Sequence, residues 1–394
     1  MKSFSKVFLN GGKERSLKLF HPWVFSGAVA KAEGNPAEGD IVEVVSQKGE
    51  FLAYGHFHNG SIKVRLFSFT KTNIDDEFWY RKISDAWVLR NRLGLTNDQS
   101  TNAYRLVHGE ADGLPGVIVD IYNQTAVIQI HTLGMYRIIG KLAEALRKVY
   151  GESLTTVYDK SAETMSRHKD NHIVNSFLLG SETETVILEN DLKFLVNWVE
   201  GQKTGFFIDQ RENRSLVRNY AKGKSVLNTF SYSGGFSMYA LQGGAQLVHS
   251  VDSSRKASTL LEKNIDLNRY GEQHRMITED VFDYLKTTNQ QYDLIILDPP
   301  AFAKHLSAVD NATVGYRNLN IEGFRKIKQG GLLFTFSCSQ VIDKQLFRKI
   351  VFQAGAQTGR NVRIIHQLSQ SADHPISIYH PEGEYLKGLV LLVT

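Results

Sequence analysis

The chain carries a single cysteine in 394 residues, no run of eighteen apolar residues and no low-complexity tract. One thiol cannot make an internal disulfide or a thiolate metal cluster, which fits a reducing compartment and leaves Cys338 for packing or for chemistry. Without a long apolar stretch, and with a start, "MKSFSKVFLNGG", that lacks the apolar centre of a signal peptide, the expectation is a cytoplasmic protein with no membrane anchor and no metal. The absence of repeats and biased segments, beside 42% hydrophobic and 22% charged residues, excludes disordered, fibrous and solenoid classes. What is present is length enough for two or three domains with ample core. A formal charge of +5 and a sequence pI near 9.0 admit an anionic partner.

Three regions differ in pattern. Residues 1–72 read as short alternating strands with Gly turns, "IVEVVS", "FLAYGHF" and "SIKVRLF", a small β-barrel. Residues 73–185 read as α+β. Phe78, Ile83, Trp87, Val88 and Leu93 recur at helical spacing, strands surround "GLPG", a helix is expected near 135–149, and "LTTVYDK" is a further strand. From 186 onward strands and helices alternate: "SVLNTF", helix 235–243, "LVHSVD", helix 254–268, "MITED", "YDLIILD", helix 315–328, "GLLFTFS", helix 343–358. Alternating βαβ units predict an α/β, Rossmann-like, mostly parallel doubly wound sheet.

The chemistry-bearing residues cluster at the predicted strand ends. Gly234 and Gly235 open a helix where a ligand's backbone approach is close, or form a plain βα turn. Asp252, ending the next strand, is placed to accept two ribose hydroxyls, and Asp280 to accept an adenine amino group flanked by Val281 and Phe282. Each carboxylate is equally placed to cap the helix that follows it. The missing GxGxxG disfavours a dinucleotide and a nicotinamide dehydrogenase, so a nucleoside without a pyrophosphate fits better.

In order, "NTFSYSGGFS", "SVDSS", "TEDVFDYL" and "LDPPAF" resemble the motifs of class I S-adenosylmethionine-dependent methyltransferases. "FTFSCSQ", "VEGQKTGFFIDQREN", "QSADHPISIYHPEGEYLKG", "HPWVFSGAV" and "YRLVHGEADGLPGVIVDIY" narrow the resemblance to the RlmI-type ribosomal RNA large-subunit cytosine-5 methyltransferases. It implies an N-terminal PUA domain, a middle domain and a C-terminal methyltransferase domain. It also implies S-adenosylmethionine as cofactor and ribosomal RNA as partner, with homodimer formation left open. Cofactor contacts would come from Gln210, Arg211, Asn228, Phe230, Tyr232, Gly234, Asp252, Ser253, Asp280, Val281 and Asp298, and substrate contacts from Lys203, Pro299, Phe302, Tyr316 and His374.

Cytosine C5 becomes nucleophilic only when another nucleophile adds to C6, a task that suits a thiolate. Cys338 and Asp298 are therefore the expected catalytic pair, with the Pro299-Pro300 turn fixing the direction of the carboxyl group. The bland alternatives are an inert buried thiol, a structural His374, and a solvated surface turn at "GQKTGFFIDQREN". Two functional alternatives stand beside this reading: methylation of an exocyclic amine, with Cys338 a bystander, and a non-catalytic RNA-binding assembly factor. Near the N-terminus, Lys6, Lys13, Arg15, Lys18 and His21 accompany Phe20, Trp23 and Phe25, aromatics expected in the core rather than on an RNA-stacking surface.

Overall fold

The computed structural model describes residues 4–166 and 172–394. The chain forms two compact units, and it crosses between them more than once. The first runs to Ile187 and recruits Val196–Phe206 and Ala372–Gly383; the second comprises Leu188–Leu195, Phe207–Ser371 and Glu384–Thr394.

In the first unit, a six-stranded mixed sheet has the order Trp23–Phe25, Ile62–Ser68, Phe51–Phe57, Ile41–Val45, Ser5–Leu9, Val29–Glu33. Alternate residues Val7 and Leu9, Val42 and Val44, Val64 and Leu66 turn to one buried face, the period-two pattern that the strand reading relied on. Leu17 and Val24 complete that core, whereas Phe20 is 51% and Phe25 46% exposed. The expectation that these two rings are core residues is therefore wrong, because their short segment packs through Leu17 and Val24 instead.

The same unit holds the helix Asp76–Arg92, which starts where Asp75 accepts a hydrogen bond from the Phe78 amide at 2.9 Å, with acidic residues in its first turn and arginines in its last. It packs with the helix Ile139–Tyr150 beside a five-stranded sheet, Ser176–Leu179, Thr156–Asp159, Thr125–Ile130, Val117–Tyr122, Ala103–His108. A hairpin, Glu184–Glu189 with Leu192–Asn197, turns through Asn190 and Asp191, both at positive φ as a two-residue turn between twisted strands demands.

The second unit is built on seven strands: β1 (Ser225–Thr229), β2 (Leu247–Asp252), β3 (His274–Thr278), β4 (Tyr292–Leu297), β5 (Ile327–Ser337), β6 (Val362–Leu368) and β7 (Lys387–Val393). Their order is β3-β2-β1-β4-β5-β7-β6, parallel except that β7 runs antiparallel to both neighbours. The order reverses beside β1, so the ends of β1 and β4 flank the crevice where open α/β sheets bind ligands. Leu227, Ile295, Leu297 and Leu333 form the buried centre with Tyr316, Phe324 and Phe347. Among the described residues no helix is long and apolar enough to cross a membrane.

Candidate active site

The turn after β1 carries the first half of the site. Phe230 (φ 53°), Tyr232 (φ 44°) and Gly234 (φ 84°) all lie in the left-handed region, unusual for two aromatic residues in one turn. The turn is held by its neighbours: the Ser231 amide donates to the Val251 carbonyl, and the Tyr232 amide donates to Asp252 Oδ2 at 2.9 Å. The other oxygen of Asp252 accepts from the Ser254 amide, so this carboxylate ties the turn to the start of the next helix, whose cap is Ser254 Oγ accepting from the Ala257 amide. At Gly234 a Cβ would lie 2.7 Å from Leu261 Cγ, which explains glycine there. Asn228 donates to Ser237 Oγ at 2.8 Å, while its Oδ1 and the Ser231 Oγ are buried without a protein partner. Such orphaned polar atoms at a strand end fit a polar ligand such as a nucleoside.

Asp280 caps its helix through Oδ1, accepting from the Phe282 and Asp283 amides, and is otherwise exposed. Val281 is buried in the core at 2% exposure, whereas Phe282 is half-buried and faces the Phe302 ring at 6.4 Å. Ser253 is exposed.

The second half lies where β4 and β5 end. Asp298 Oδ2 accepts from Gln210 Nε2 at 3.0 Å, and Cys338 Sγ lies 3.8 Å from the Pro299 carbonyl oxygen. Burial, then the nearby Asp209 carboxylate, raise Asp298 to about 7, while the Gln210 hydrogen bond and the Arg214 charge oppose the rise. Burial followed by Asp298 and Asp209 push the Cys338 thiol up to about 12, with the Lys387 charge pulling the other way. Asp209 accepts from the Tyr385 hydroxyl at 2.7 Å through Oδ2, and its Oδ1 is buried without a partner. Gln210, itself 4% exposed, is fixed by Asn213, which donates to its Oε1 at 2.6 Å.

Arg211 is buried, its Nε 3.6 Å from Glu189 Oε2. Arg214 makes a two-pronged pair with the same buried Glu189, at 2.8 and 2.7 Å, and donates to the Phe207 carbonyl. "GQKTGFFIDQREN" is thus no surface turn from Phe206 on: Ile208, Gln210 and Arg211 are buried. The Phe302 ring lies 4.6 Å from that of Tyr316, tilted by 40°, and Tyr316 is fully buried and hydrogen-bonded to Ser339 Oγ at 2.9 Å.

Lys203 and His374 belong to the first unit. Lys203 is exposed, at φ 53°, and after burial its charge is the next cause holding His131 down to about 4. His374 is 2% exposed, with Nδ1 2.9 Å from Asp373 Oδ1 and its ring 5.1 Å from that of His108. Asp373 also accepts from the Arg105 amide, so the pair sits in a buried polar network.

Residue-by-residue reading of the sequence did not single out Tyr385 and Lys387. Their signal is a tyrosine and a lysine, "EYLKG", directly before the wholly apolar "LVLLV".

The chain matches the family model described as a PUA-like domain over residues 7–69 and that of an S-adenosylmethionine-dependent methyltransferase over residues 142–375. It is 38% identical to the ribosomal RNA large subunit methyltransferase I of Alteromonas mediterranea over 99% of both chains, and 39% identical to that of Aeromonas salmonicida over 98% of both. Among solved structures it resembles one described as a methyltransferase complexed with S-adenosylhomocysteine, with a TM-score of 0.86 at 24% identity over 98% of this chain and 100% of the other. A second, described as an S-adenosylmethionine-dependent methyltransferase from Streptococcus mutans, gives 0.84 at 24% identity with the same coverage. With the crevice, the β3-β2-β1-β4-β5-β7-β6 order and these full-length likenesses together, the chain belongs to the S-adenosylmethionine-dependent methyltransferases of the ribosomal RNA large subunit methyltransferase I family.

Proposed function

We propose that this chain transfers a methyl group from S-adenosylmethionine to C5 of a cytosine in ribosomal RNA, through a covalent bond between Cys338 Sγ and the base C6. The observation that carries the reading is the pairing, at the ends of adjacent strands, of the chain's one thiol with a carboxyl group raised to about 7. The RNA substrate is taken from the names of the full-length relatives, and the matched PUA-like domain supports it. In this reading the protein acts in the cytoplasm, and the functional parts are a PUA-like module within 1–72, a middle domain at 73–185 and a methyltransferase domain from 186.

The cofactor would be held by the turn after β1, by Asp252 and Asp280 at its nucleoside end, and by the Asp209–Gln210 segment at its amino-acid end. The chemistry it supplies when bound is an electrophilic methyl carbon on a sulfonium. Cys338, as thiolate, adds to C6 and sends the C5–C6 electron pair to C5. Asp298, protonated for much of the time near neutral pH, donates to the N3 edge of the ring and offsets the charge that this addition creates. Once C5 has used that pair to bond the transferred methyl group, loss of the C5 proton to a base leaves its pair to re-form the C5–C6 double bond and expels the Cys338 thiolate. Phe302, packed against Tyr316, is the aromatic side chain nearest in sequence to Asp298 and would line the base side of the crevice.

A thiol raised to about 12 favours a second reading, methylation of an exocyclic amine with Cys338 a bystander. The two are separated by incubating the purified protein with methyl-labelled S-adenosylmethionine and unmodified ribosomal RNA, then digesting to nucleosides. The expected label is 5-methylcytidine, lost by at least about a thousandfold in Cys338→Ala. Label on a purine or an exocyclic nitrogen that survives Cys338→Ala would establish the second reading.

A further inference from the structure

We propose that Lys387 is a positioning residue that places a positive charge beside Cys338 and lowers the free-energy cost of its thiolate. The inference rests on the reading of Cys338 as the nucleophile. It begins with strand register: Lys387 opens β7 directly opposite Ser337, the last residue of β5, and Cys338 follows at once. The side chain then folds along the same stretch, its Nζ donating to the Ser339 carbonyl at 2.6 Å and to the Tyr385 carbonyl at 2.7 Å. The ammonium is therefore tied to the backbone on one side of Cys338 while its Cα pairs on the other.

Lys387 is 4% exposed, and its Nζ donates to two neutral carbonyls. Burying a lysine in this way costs free energy that a methionine of similar length would not incur, so what the site gains is charge. The charged and titratable groups facing Cys338 are Asp298 after β4, Asp209 before the helix Arg211–Tyr220, Tyr316 on the helix Val309–Lys326, and Lys387 on β7. Both carboxylates oppose the thiolate, and Lys387 favours it. Those facing Lys387 are Cys338, Glu384 and Asp343, which raise it, and Lys344, which lowers it; burial outweighs them and brings it down to about 8. Lys387 therefore carries its charge at neutral pH and loses it as pH rises through about 8.

Because the chain has one cysteine, alkylation by iodoacetamide reads Cys338 alone. Lys387→Met is expected to alkylate at least about tenfold more slowly than the unsubstituted protein at pH 7.5, since an opposite charge nearby moves a pKa by one unit or more. Equal rates would overturn the proposal. A second measurement does not depend on that variant folding. In an Asp298→Asn background, which removes the neighbouring carboxyl group's own titration, the logarithm of the rate should climb with pH, flatten as Lys387 deprotonates near about 8, and climb again. A straight line through that range overturns the proposal even if Lys387→Met unfolds. The methyl-labelling experiment stays separate. Label outside 5-methylcytidine sinks the nucleophile reading, whereas label in 5-methylcytidine with unchanged alkylation of Lys387→Met sinks the role of Lys387 alone.

Discussion

At the scale of single residues, the crevice sets two carboxyl groups, Asp298 and Asp209, beside the thiol proposed as nucleophile. Asp298 yields first, because its carboxyl group is partly buried and faces Asp209, so it keeps its proton up to about 7 instead of the usual 3.8. The folded state then binds a proton that the unfolded state has released between about pH 4 and 7. Stability must therefore fall as pH rises across that window and stay low above it. For a partly exposed group the loss is on the order of 3 kcal/mol. Asp298→Asn removes the titration, so its stability relative to the unsubstituted chain should improve from pH 5 to pH 8 while methyl transfer collapses. Urea melts at the two pH values test this, and a gap between the two proteins that does not widen with pH would refute it. The same residue thus trades stability for a proton available at neutral pH.

At the scale of elements, the site depends on turns more than on the strands they follow. Gly234→Ala would force a side chain into φ 84° and against Leu261, at a cost of roughly 2 kcal/mol, and would disturb the Tyr232 amide that Asp252 holds. Calorimetry with S-adenosylhomocysteine should show affinity at least about tenfold weaker, and unchanged affinity would show that this turn does not carry the nucleoside. The strands β1, β2, β4 and β5 were legible because each carries a short apolar core, such as residues 294–297 in β4 or 332–334 in β5, followed closely by Gly-Gly, Asp, Asp-Pro-Pro or Cys. By contrast β6, "VRIIHQL", was missed as the edge of its sheet, where exposed and half-exposed positions blur the alternation. The helix Arg211–Tyr220 was missed for a different reason. Beside Val217 its buried face is made of Arg211, Asn213 and Arg214, residue types that look solvated until Glu189, more than twenty positions earlier, is seen to pair with the arginines. The helix expected at 315–328 starts at Val309 instead, since "LSAVDNATV" carries no capping side chain to announce it. Strand ends expose candidate chemistry in the sequence, but the partners that tune it come from segments far apart in it, as Asp209, Tyr385 and Lys387 do.

At the scale of the whole molecule, the chain's path binds each unit's integrity to distant sequence. Within the first unit, Arg105 pairs with buried Asp120 through two 2.8 Å hydrogen bonds, and Asp120 also accepts from Thr204 Oγ1. Arg90, fully buried, pairs with Asp112 and donates to the Asp373 carbonyl at 2.8 Å, while Asp373 Oδ2 accepts from the Arg105 amide. Thr204 and Asp373 arrive on the recruited segments Val196–Phe206 and Ala372–Gly383. A fragment ending at residue 187 would keep Arg90, Arg105 and Asp120 but lose both partners, leaving polar groups buried without hydrogen bonds at about 1–3 kcal/mol each. Such a fragment should unfold at lower urea than the same residues do in the full chain, and Asp373→Ala in the full chain should reproduce part of the loss. Hydrogen exchange at the Arg105 amide reports both, because that amide donates to Asp373 itself. Protection retained in the fragment would mean that the network closes without the returning segment. Protection lost in both would mean that the first 187 residues require the later chain to complete their fold, so the RNA-binding half of the proposed enzyme cannot be made without sequence that flanks its catalytic half.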